Sequence, residues 1–193
     1  MKQWKQGILA LIASASMVAC AGDTDRTTAT RDNPAGTPGA AGTTGAAADL
    51  DRDFVEDMIE DSQAEITLGQ LAQQRASNPE VREFGGMMVR DHQKAGEELK
   101  QITSKHNLQL DTTTDDDHND LRERLSKLSG AEFDRAYIDA MVEEHQEAVD
   151  EVREKAEGSD NSEVRQWAAK TLPVLQGHLA RAQELKNTLE KGQ

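Results

Sequence analysis

From residue 51 onward, apolar positions recur at spacings of three and four, the period of a helix that buries one face. Over residues 51–76 the stripe is Phe54, Met58, Leu68 and Ala72, flanked by Val55, Ile59 and Ile66, and it also carries Asp61 and Glu65. "ASNPE" ends this helix and starts the next: Asn78 suits the cap, Pro79 the first helical position and Glu80 the first turn. The second helix runs to about residue 105 with Val81, Phe84, Met88, His92, Leu99 and Ile102 on one side. A third spans residues 131–157 around Tyr137, Met141, His145 and Val152. A fourth spans residues 161–190 around Val164, Ala168, Leu175, His178 and Leu185, with Pro173 expected to kink it. Residues 106–130 are mostly polar, but Leu121, Leu125 and Leu128 predict a short amphipathic helix there.

The second and fourth helices open alike, with "NPEVREF" and "NSEVRQW", so the chain reads as two similar helical hairpins. The predicted fold is all-α: a four-helix bundle over residues 50–191, with the hairpins joined by a long connection that contains a short helix. Such a bundle is ferritin-like if the second and third helices run parallel, and up-and-down otherwise. Phe54, Phe84, Phe133 and Trp167 each fall in the first two turns of a long helix, where they close the ends of a bundle.

Composition refines this picture at the N-terminus. Hydrophobic residues make up 36% and aromatics only 3%, so the core must be aliphatic. The net charge of −14 argues against nucleic acid and against direct adsorption to anionic lipid. Lys2 and Lys5 precede an apolar run from Gly7 to Val18, too short to span a bilayer, and the run ends in "SMVAC". That ending resembles a bacterial lipobox. Residues 1–19 are therefore expected to be a lipoprotein signal peptide, with Cys20, the sole cysteine, as the lipidated residue. Residues 20–49 are Ala/Gly/Thr-rich and lack large apolar side chains, as expected of a flexible tether. The expected location is the periplasm-facing cell envelope, with the membrane touched only through the lipid. Ala21 after the cysteine points to the outer membrane by resemblance to lipoprotein sorting rules. No protein partner is legible.

Two octapeptides carry the candidate chemistry: "MVRDHQKA" at 88–95 and "MVEEHQEA" at 141–148. Each places a histidine on the apolar stripe four residues after a methionine. With Glu65 and His178, the chain then has one polar residue on the stripe of each long helix: Glu65, His92, His145 and His178. Counting about 1.5 Å per residue from the hairpin turns puts them roughly 18–27 Å along their helices, in one broad central layer. Three imidazoles and a carboxylate suit a transition metal such as zinc, copper, iron or nickel. Asp61 and Tyr137 are placed to support such ligands, and the thioethers of Met88 and Met141 would favour copper(I). Asp91, Glu144, His106 and His118 are expected at the surface. Two other readings stay open: a metal-free structural or protein-interaction module with a hydrogen-bonded core, and, third, a ferritin-like oxidase. The Glu-x-x-His signature of di-iron bundles is absent, since Val89, Val142 and Leu175 precede the three histidines. Asp61 and Asp134 are the remaining carboxylates an oxidase would draw on, and no catalytic residue is identified.

The stretch "DFVEDMIEDSQAEITLGQLAQQRASNPEVREFGGMMVRDHQKAGEEL", with "YIDAMVEEHQEAV" and "LPVLQGHLARAQEL", resembles the bacterial DUF4142 family over residues 51–188. That family is described as ferritin-like and often as outer-membrane or periplasmic. The resemblance implies fold and location, and no chemistry.

Overall fold

The computed structural model describes residues 51–110 and 113–191. The expected signal peptide, Cys20 and the tether lie outside these residues. The described chain is all-α, with five helices: α1 Arg52–Arg75, α2 Pro79–Lys105, α3 Asp116–Ser126, α4 Gly130–Gly158 and α5 Ser162–Lys191. Among the described residues there is no strand, only an isolated bridge between Ala76 and Gly130. The α5 helix is continuous through Pro173. Proline leaves the carbonyl four residues earlier without a helical donor. Here that residue, Ala169, is on the exposed face of α5, where water can serve it.

The helix starts are built from a repeated set of polar contacts. Asn78 accepts from Glu80 N (2.8 Å) and so caps α2, while Asn161 accepts from Glu163 N (2.9 Å) and Val164 N (3.1 Å) and caps α5. Arg82 donates to the carbonyls of Ala76 and Ser77, and Arg165 to that of Ser159. Asp134, at the start of α4, accepts from Ser77 and Asn78 in the α1–α2 turn. Asp51, just before α1, accepts in the same way from Ser159 in the α4–α5 turn and pairs with Lys155. Asp51 and Asp134, Asn78 and Asn161, and Arg82 and Arg165 are each 83 residues apart. The duplicated unit is thus a hairpin in which α1 matches α4 and α2 matches α5. The octapeptides recur at 53 residues, on the non-equivalent helices α2 and α4, so their likeness does not follow from this duplication.

These contacts also fix direction. The start of α4 sits on the α1–α2 turn, beside the start of α2, so α2 and α4 run the same way. Lys105 meets Glu163 and Arg181 meets Glu80, so α5 runs opposite to α2. Residues 106–129, which include α3, return the chain from the end of α2 to the end from which α2 began. The most extensive packing is within the pairs α1–α2 and α4–α5, followed by α2 on α5; α3 lies on α1 and α4. In the first pair the backbones approach closely. A Cβ on Gly69 would lie 2.6 Å from the Gly85 carbonyl oxygen, so only glycine permits this crossing.

The apolar side chains form two separate clusters. One gathers Phe84, Met88, Phe133, Tyr137, Met141 and Leu185. The other gathers Phe54, Met58, Leu99, Val152, Trp167 and Leu175. Phe54 and Trp167 meet edge-on at 5.9 Å, and Tyr137 stacks on Phe133 at 5.7 Å. The buried polar residues Ser62, Glu65, His92, His145, Thr171 and His178 belong to neither cluster.

Candidate metal centre

Each long helix supplies one member of this polar layer: Glu65 from α1, His92 from α2, His145 from α4 and His178 from α5. All four are buried. The three imidazole rings form a near-equilateral triangle, with centroids 5.6 Å (His92–His145), 5.6 Å (His92–His178) and 5.3 Å (His145–His178) apart. One nitrogen from each lies within 4.8 Å of the others, so the trio could hold a metal ion. Glu65 Oε1 is 3.8 Å from His145 Nδ1.

The outer nitrogens of two rings are held by the protein. His145 Nδ1 is 2.9 Å from the Met141 carbonyl oxygen, which can only accept, so that nitrogen carries the proton and Nε2 keeps its lone pair. His178 Nε2 is 3.0 Å from Asp91 Oδ2, which favours the proton there and leaves the lone pair on Nδ1. The buried atoms without a hydrogen-bond partner include these lone-pair nitrogens, His145 Nε2 and His178 Nδ1, together with His92 Nε2 and Glu65 Oε2. Buried polar atoms are almost always paired, so four such orphans in one layer need a reason.

Electrostatics favours neutral rings. Burial, and then the neighbouring imidazoles, hold His92 well below the usual histidine range. Burial and the neighbouring His178 lower His145 to about 3, against the opposing pull of the Met141 carbonyl. Burial also lowers His178, with Asp91 opposing. Glu65 is pushed well above the usual carboxyl range by burial and by Glu144 and Asp61, while His118 pulls the other way.

The layer opens into a cavity of about 40 Å³, room for more than one water-sized group. Several expectations change here. His118 is not a surface residue: its side chain is only 12% exposed and lines the cavity from α3. Its Nε2 lies 3.8 Å from Asp61 and 3.6 Å from Glu144. Asp91 and Glu144 are likewise not simply solvated, since each reaches a histidine on another helix. Met88 and Met141 do not line the cavity; their thioethers are in the apolar cluster with Phe84, and the lining methionine is Met58. Met141 serves the layer through its backbone carbonyl instead. Tyr137 also sits in that cluster, with a buried, unpartnered hydroxyl whose pKa rises through burial and the nearby Glu65. Asp134 is spent on the α1–α2 turn, away from the layer. His106 pairs with Glu163 at the far end of α2.

His118 gives a pH signature. Burial opposes its charge, but the facing Glu144 carboxylate, with Asp61 and Asp115, outweighs it and raises the ring to about 9. A folded pKa above the unfolded value of about 6.5 stabilises fully below that value, and the gain is lost as pH rises through about 9. His118→Gln should therefore flatten the stability profile between about pH 6.5 and 9, removing a loss on the order of 2 kcal/mol. Thermal melts of both proteins across that range check it; parallel profiles would show that the ring is not paired as described.

A family model for a domain of unknown function, DUF4142, matches residues 36–185. The chain belongs to the DUF4142 family. No curated protein and no solved structure matches it. For this DUF4142 domain the chemistry therefore has to be argued from its own side chains.

Proposed function

We propose that this DUF4142 protein is an envelope-anchored lipoprotein whose ferritin-like bundle of two hairpins holds a divalent transition-metal ion in its central polar layer. One observation carries the reading: three buried imidazoles converge with lone pairs that no protein donor satisfies, while two of them are braced from behind by a backbone carbonyl and a carboxylate. Bracing of the second ring nitrogen is the usual support of a metal-binding histidine. A self-sufficient hydrogen-bonded core would pair Glu65 with an imidazole. Its nearest ring nitrogen, His145 Nδ1, is instead committed to Met141, and Glu65 Oε2 has no partner. His92, His145 and His178 would hold the ion, with Glu65, whose Oε1 lies 3.8 Å from His145 Nδ1, turning in as the fourth ligand; among the described residues only Met58 brings a thioether to the cavity, so the set suits zinc, iron(II) or copper(II) better than the softer copper(I).

The raised Glu65 carboxyl sets the pH dependence. The imidazoles are already neutral, so the proton that competes with the ion is the one on Glu65. Zinc uptake should release about one proton per ion while the pH stays below the folded Glu65 pKa, so affinity should rise about tenfold per pH unit there. Calorimetric titration of the full chain in buffers of different ionisation enthalpy counts that proton. Glu65→Gln should bind more weakly and release none; an unchanged proton count would remove Glu65 from the site. Anchoring is tested separately: Cys20→Ser should free the protein from the membrane fraction, and unchanged retention would refute lipidation at Cys20.

A further inference from the structure

The three-histidine layer uses only part of the cavity's donors. Among the described residues the lining contains four imidazoles and four carboxylates, and one ion at His92, His145, His178 and Glu65 leaves His118, Asp61 and Glu144 unused, with Asp91 bracing His178. These three come from α3, α1 and α4 and meet where α3 covers α1 and α4. His118 Nε2 lies 3.8 Å from Asp61 Oδ1 and 3.6 Å from Glu144 Oε2, so one ring nitrogen faces two carboxylates. Asp61 and Glu144 are 37% and 32% exposed and reach from the cavity to solvent, so both can turn onto an ion without moving their helices.

A second observation ties this group to a ligand. Glu65 Oε2 is buried, lacks a partner and belongs to the same lining as Asp61, Glu144 and His118. Asp61, Glu65 and Glu144 thus line one cavity. Among the described residues the cavity lining holds no lysine or arginine.

We infer that Asp61, Glu144 and His118 form a second divalent-cation site that shares Glu65 with the three-histidine site, so the cavity takes two ions. The inference rests on the one-ion reading above. The second ion displaces the Nε2 proton of His118, which leaves to solvent, and the neutral nitrogen then coordinates. With two carboxylates, one imidazole and solvent access, this site suits a harder, more hydrated first-row ion than its neighbour, and it should bind more weakly.

Cobalt(II) titration of the full chain, followed by absorption and electron paramagnetic resonance, tests it. The expected result is two ions per chain in two phases, the second changing the resonance of the first through the shared carboxylate. In Asp61→Asn/Glu144→Gln the second phase should vanish while the first still takes up one ion per chain. A wild-type stoichiometry of one, or a second phase that survives in the double variant, overturns the second site and leaves the one-ion reading standing. No binding at all overturns both. The wild-type stoichiometry decides even if the variant misfolds.

Discussion

Replacing His145 with alanine is expected to abolish stoichiometric metal uptake while the chain stays folded. His145 is almost wholly buried, its ring sits 5.6 and 5.3 Å from those of His92 and His178, and its Nε2 has no protein partner. Disturbing only the support of a metal-bound histidine costs about 10–100-fold in affinity, so removing the ring should cost more than about 100-fold. The fold should tolerate the change, because the deleted ring makes one hydrogen bond, to its own helix at Met141, and otherwise leaves a buried nitrogen unsatisfied. Zinc titration monitored alongside circular dichroism separates the two effects. A folded His145→Ala protein that binds zinc as tightly as the wild type would remove His145 from the centre.

The largest structural effect should come from Asp134. Its carboxylate is buried and accepts from Ser77 N (2.9 Å), Ser77 Oγ and Asn78 N (2.9 Å), so it holds the α1–α2 turn just ahead of α2 while joining the two hairpins. Asp134→Ala would remove three hydrogen bonds to a buried carboxylate, and because water can reach their exposed and half-buried donors the loss should be about 2–4 kcal/mol in all. The equivalent Asp51→Ala should cost about 1 kcal/mol, because Asp51 and Lys155 are partly solvated and the buried Ser159 hydroxyl keeps the Asn161 carbonyl as a partner. Urea unfolding of the two variants gives the comparison. Equal losses would mean that the burial of Asp134 carries no extra weight.

Much of the fold is legible because the signals are local. Asn78 and Pro79 mark the start of α2, and stripes such as Phe84–Met88–His92 give the buried faces. The central layer is legible too, since one polar residue on each of four apolar stripes can be placed by counting residues. The stripe gives a face but not a neighbour. Met88 and Met141 lie one turn from their histidines, and that turn carries both thioethers out of the cavity and into the apolar cluster around Phe84. Asp91 and Glu144 sit off the stripe and look solvated, yet their carboxylates reach round to His178 and His118. His118 is the least legible of these residues in the sequence. Its helix is short and polar, and the seam it covers between α1 and α4 exists only once the connection has crossed over. The one available hint is the acidic run "TDDDHND", which caps α3 through Asp115 and surrounds the ring with carboxylates.

The central claim, that the polar layer is a metal centre built on three imidazoles, is tested most directly by X-ray absorption spectroscopy of the full chain loaded with one equivalent of zinc. The account predicts a shell of nitrogen and oxygen donors at about 2.0–2.2 Å with multiple scattering from three imidazole rings, reduced to two rings in His178→Ala. A shell of oxygen donors alone, without imidazole scattering, would contradict it.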